Sequence, residues 1–83
     1  MRILTYFDWW GTDEELAELD KGIKKMSKEV DGVDFLGRWA VHNRKYHWVR
    51  MWEAESYAKW LNPPRPNPRD KKKQSHVVIE VWT

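Results

Sequence analysis

The sequence predicts one α+β domain in which two helices cover one face of a four-stranded antiparallel sheet. Three observations lead there. Eighty-three residues are enough for a single domain and no more. Four short stretches alternate in polarity like strands, and one stretch between the first and second carries a stripe of helical period. All four prolines fall between positions 63 and 68, so irregular chain is concentrated in one place. A chain this short buries only about 60–65% of its unfolded surface. Cysteine is absent, which removes disulfides and thiolate metal sites as staples. Seven Trp, three Tyr and two Phe are left to supply stability, through dense packing or a second chain.

Residues 2–10 read as a strand, with Ile3, Thr5, Phe7 and Trp9 alternating against Arg2, Leu4, Tyr6 and Asp8. Gly11 ends it. Thr12 and Glu15 then have capping-box spacing, in which hydroxyl and carboxylate satisfy reciprocal backbone amides. Asp13, Glu14 and Glu15 suit the positive end of the helix dipole, and Lys24, Lys25 and Lys28 the negative end. Between them Leu16, Leu19, Ile23, Met26 and Val30 form one apolar stripe. Asp31-Gly32 turns the chain into a second strand over 33–41. His42-Asn43-Arg44 is long enough only for a hairpin into a third strand over 45–53. Residues 54–61 have helical composition, with Tyr57, Ala58 and Leu61 as the expected inner face, and Pro63-Pro64 forbids continuation. Residues 62–74 form a Pro-rich basic loop, and residues 76–82 a last strand. The order is β-α-β-β-α-β, the split-βαβ or ferredoxin-like pattern. Right-handed crossovers then place the strands in spatial order 4-1-3-2.

The net charge of +2 hints at nucleic acid until the charges are located. The 62–74 loop holds Arg65, Arg69, Lys71, Lys72 and Lys73 against Asp70 alone, or +4. Subtracting +4 from +2 leaves −2 for the rest of the chain, so the basic character belongs to one loop. No run approaches the ~20 apolar residues of a membrane span. The start has no secretory pattern, and a cytoplasmic protein with no membrane partner is expected.

Three pieces carry a family resemblance: the opening strand ending in an aromatic before an acidic helix start; Gly32-Val33 followed by Leu36-Gly37-Arg38-Trp39; and Glu53-Ala54-Glu55-Ser56-Tyr57-Ala58-Lys59-Trp60-Leu61. In these the chain resembles the dimeric α+β barrel superfamily, ferredoxin-like subunits that pair through their open sheet faces. More narrowly it is similar to a family of short, uncharacterised microbial proteins of that fold. The resemblance implies a homodimer. The superfamily includes haem-degrading and antibiotic-biosynthesis monooxygenases, isomerases and members without known activity, so the fold does not choose a chemistry. The Pro-rich loop departs from the family pattern.

Each strand gives alternate residues to the helices and to the open face. Val49 and Met51 are the uncharged set of the third strand and are expected inward, which sends Tyr46, Trp48, Arg50 and Trp52 to the open face. Arg38 sends Leu36 and Ala40 there too, with Phe35 and Trp39 inward. On the last strand Val77, Ile79 and Val81 suit the helices, leaving Val78, Glu80 and Trp82 outside. Tyr6 and Asp8 share the outward parity of Arg2. The expected candidate surface is therefore Tyr6, Arg38, Trp48, Arg50, Trp52, Glu80 and Trp82. Such a surface serves either as a dimer interface with its arginines paired to acids or as a cavity for a small anionic or aromatic ligand. No cofactor and no metal is expected, because His42, His47 and His76 share no ligand spacing.

Two other functions use the same residues. A single-stranded RNA or DNA module would stack bases on the sheet aromatics and use the basic loop for phosphates. The third strand lacks the glycine-containing signature of the RNA recognition motif, which weakens that class. A haem-degrading-type monooxygenase needs His, Trp and an amide in one pocket, and neither Asn43 nor Asn62 is placed beside a His by the sequence.

Overall fold

A computed structural model of the chain describes residues 1–42, 44–61 and 73–83. The expected loop at 62–74 thus lies outside the described residues except for Lys73 and Gln74. Six elements follow in the predicted order: β1 (Arg2–Phe7), α1 (Asp13–Ser27), β2 (Val33–Ala40), β3 (Trp48–Ala54), α2 (Tyr57–Leu61) and β4 (Val78–Trp82). All pairings are antiparallel and the sheet order is β2-β3-β1-β4, the predicted arrangement and one compatible with a ferredoxin-like fold.

The first strand is shorter than expected. Beyond Phe7 the chain leaves the ladder and grips the segment before β4 instead. Asp8 N–H donates to Ser75 Oγ at 2.7 Å, Ser75 N–H to the Asp8 carbonyl at 3.0 Å, and Trp10 N–H to the Lys73 carbonyl at 2.7 Å. The β2–β3 connection is also longer than a tight hairpin, running from Val41 to His47 and closed by a 2.8 Å bond from Val41 N–H to the His47 carbonyl.

The start of α1 forms as its sequence dictates. Thr12 Oγ1 accepts from Glu15 N–H at 3.1 Å, and Glu15 Oε1 accepts from Thr12 N–H at 3.1 Å. Lys73 reaches the other oxygen of Glu15. Its hydrogen bond, followed by those from Thr12, lowers the Glu15 carboxyl from 4.5 to about 2. A carboxyl depressed on folding contributes stability above its unfolded pKa and loses that contribution as pH falls toward its folded one. Thr12→Ala is therefore expected to cost about 1 kcal/mol in urea melts near neutral pH. Glu15→Gln should flatten the fall in melting temperature between pH 4.5 and 2. Unchanged melts for both variants would show that this cap carries no stability.

The second helix turns a different face inward from the one expected. Trp60 is buried to 1% exposure, whereas Tyr57, Ala58 and Leu61 are exposed. Five residues make little more than one turn, so one large side chain decides the docking. The Trp60 indole meets Trp52 edge-on at 6.1 Å and lies beside Tyr57 at 6.2 Å. Around it Ile3, Ile23, Val33, Trp52 and Ala54 complete a core drawn from both helices and three strands. Both helices therefore lie on the face that carries Ile3 and Trp52.

Candidate functional site

The strand registers sort every sheet residue into rows. On the helix side the rows read Val81–Ile3–Trp52–Phe35 and Ile79–Thr5–Arg50–Arg38, with Phe7–Trp48–Ala40 beyond them. On the open side they read Trp82–Arg2–Glu53–Asp34, Glu80–Leu4–Met51–Gly37 and Val78–Tyr6–Val49–Trp39.

This distribution divides the seven candidate residues. Tyr6, Glu80 and Trp82 are on the open face as expected, while Arg38, Trp48, Arg50 and Trp52 are on the helix side. The expected parity of β3 is inverted. Val49 and Met51 face out, and both arginines face α1. On β2 a bulge between Phe35 and Gly37 changes the parity part-way along the strand. Phe35 faces the helices as expected, but the extra residue then turns Arg38 and Ala40 inward and Trp39 outward. Gly37, beside this bulge, adopts φ +140°, a conformation that L side chains rarely take.

Asp20 is what draws the arginines inward. It projects from α1 and accepts from Arg38 Nε at 2.5 Å through one oxygen and from Arg50 Nε at 3.0 Å through the other. Arg50 is 4% exposed. Its guanidinium stacks 4.2 Å over the Phe7 ring, and that of Arg38 lies 4.2 Å over Trp48. Flat guanidinium planes on aromatic faces explain how two cations tolerate this layer. Burial pulls Arg50 below its ordinary value, the Asp20 carboxylate pulls it back, and the like charge of Arg38 acts with burial. Sequence reasoning passed over Asp20. Its position, one residue after Leu19 and three before Ile23, places a carboxylate on the helix's apolar stripe, and that was the available clue.

The open face has a different character. The row Val78–Tyr6–Val49–Trp39 is apolar across all four strands. Its central Val49 is buried, but Val78 is 47% and Trp39 45% exposed, and Trp82 in another row is 55% exposed. Charge gathers in the row opposite, where Arg2 Nε donates to Glu53 at 2.8 Å. Glu80 accepts from the Trp82 indole. At the sheet end Asp8 Oδ1 accepts from His47 N–H at 2.9 Å and contacts its ring nitrogen at 2.6 Å. Burial raises the Asp8 carboxyl, but the His47 hydrogen bonds outweigh it and hold the group below its usual range. Asp8 thus pairs with a histidine and not with the arginines. At the end of the sheet, an open depression of about 720 Å³ runs past Lys28, Asp31, Asp34, Glu53 and Glu55.

No family model matches the chain, and no curated protein or solved structure does so either. Among the described residues, no helix is long and apolar enough to cross a membrane.

Proposed function

We propose that the chain is a small homodimeric binding protein of the dimeric α+β barrel kind, whose two copies pair through their open sheet faces and enclose a small aromatic molecule. The observation that carries this is the apolar row Val78–Tyr6–Val49–Trp39, crossing the whole sheet with both ends exposed. A band of this kind on a domain with a small core is best buried against another sheet. The same band on a second copy supplies an isologous match. The anionic ligand class loses its support between the sheets, because Arg38 and Arg50 face α1. What remains there is a stacking surface made by Tyr6, Trp39 and Trp82.

A nucleic-acid module has less in its favour. Trp48 and Trp52 are turned away from the open face, Trp39 and Trp82 sit on edge strands, and Asp34, Glu53 and Glu80 would meet the phosphates. For a haem-degrading-type monooxygenase, Asn43 and Asn62 lie outside the described residues, and no observation gathers its other groups.

Sedimentation equilibrium at micromolar concentration is expected to report about twice the 10.1 kDa chain mass. Val78→Glu and Trp39→Glu should return the particle to monomer mass with unchanged far-UV circular dichroism. A monomeric parent chain overturns the pairing. Single-stranded oligonucleotide binding that weakens with salt and with Trp82→Ala would establish the nucleic-acid function instead.

A further inference from the structure

We propose a second site, independent of the open face: a small-monoanion site between α1 and the sheet, formed by Arg50 Nη2 and Thr5 Oγ1 and reinforced by Arg38. Arg50 is 4% and Thr5 5% exposed, and among the described residues neither Nη2 nor Oγ1 has a hydrogen-bond partner. The two residues are directly opposed in the β1–β3 register and share the helix-side row. Side chains so placed start about 4.5–5.5 Å apart at Cβ. Two orphaned donors therefore belong to neighbouring residues of one helix-side row. The rest of the Arg50 fork is engaged, Nε with Asp20 at 3.0 Å and Nη1 with Gln74 Oε1 at a long 3.5 Å.

Charge decides what the missing partner is. Among the described residues Arg38 and Arg50 share a single carboxylate, so the cluster these residues form carries one positive charge more than it neutralises. A buried water would satisfy both donors and leave that charge uncompensated. A halide or one carboxylate oxygen accepts from Nη2 and from the Thr5 hydroxyl and balances the charge as well. Phe7, fully buried beneath the guanidinium, is apolar and strengthens the attraction. Neither orphaned atom is open to solvent, which limits the ligand to a small inorganic anion or a small carboxylate tip.

The test is the melting temperature of the full chain at constant ionic strength, with sodium chloride, nitrate or acetate replacing sodium gluconate, whose bulk excludes it. The parent chain should gain about 5–10 °C for each tenfold rise in the small anion above half-saturation. Chloride and nitrate acting without acetate would assign an inorganic ion; acetate acting most strongly would assign a carboxylate ligand. Arg50→Met should abolish the gain and Thr5→Val should reduce it. Arg2→Met, on the open face, should keep it. Thr5→Val also stands in for Arg50→Met should the latter fail to fold, because it removes only the hydroxyl. A flat response in the parent chain, or equal slopes in the parent, Arg50→Met and Thr5→Val, overturns the site.

Discussion

Asp20→Ala is expected to remove about 3–5 kcal/mol of unfolding free energy, a large part of the roughly 5–15 kcal/mol that a small domain carries. The loss comes from what remains and not from the bond removed. Arg50 stays buried at 4% exposure, with the long contact to Gln74 as its one remaining side-chain hydrogen bond among the described residues, and Arg38 loses its carboxylate too. Coulomb repulsion between two cations in a poorly solvated layer then opposes the docking of α1. Arg50→Met behaves differently. It removes the buried charge, leaves Asp20 and Arg38 as a neutral pair and keeps much of the side-chain volume, so the effect should lie between neutral and about 4 kcal/mol stabilising. In the double variant most of the Asp20→Ala cost should disappear. Urea melts of the four proteins at one fixed chloride concentration complete the cycle. A cost below about 1 kcal/mol for Asp20→Ala would place the cluster among solvent-screened surface pairs.

Trp60→Ala is expected to cost about 3–5 kcal/mol, enough to leave the domain largely unfolded at physiological temperature. Trp60 is 1% exposed and is the only buried residue of α2, which has five residues. A helix this short has little stability of its own and depends on its tertiary anchor. Its removal opens a cavity against Trp52, and the Phe35–Trp52 contact at 5.2 Å then borders empty space. Tyr57→Ala makes the comparison, since Tyr57 is 42% exposed and should cost far less. Near-equal losses for the two would mean that α2 docks through its outer face in solution.

Local signals in the chain were legible because their physics is local. The Thr12–Glu15 capping box, the acidic start and basic end of α1, and the Leu16–Ile23 stripe each need only a few neighbouring residues. Strand order followed from element order and the handedness of crossovers. The face assignment of β4 was also readable, because Ile79 and Val81 alternate with Val78, Glu80 and Trp82. On β1 the outward reading of Tyr6 rested only on shared parity with Arg2, because Leu4 and Tyr6 rival Ile3 and Phe7. On α2 the larger aromatic outweighed the longer periodic set, since one turn has no real periodicity to obey.

By itself the sequence determined the class, the order β-α-β-β-α-β and the inner face of β4, whose apolar residues alternate cleanly. Only the tertiary structure decided which way Trp48, Arg50 and Trp52 point. The set Trp48–Arg50–Trp52 competes with Val49–Met51, and hydrophobicity favours sending the charged set outward. What reverses that choice is Asp20, which sits 30 residues from Arg50 and meets it only when α1 crosses the sheet. A buried cation is acceptable where a carboxylate and an aromatic face are waiting for it, and no pattern within one strand can reveal that. The Gly37 bulge completes the arrangement by turning Arg38 to the same carboxylate, which leaves Trp39 and the apolar row on the outside of the sheet.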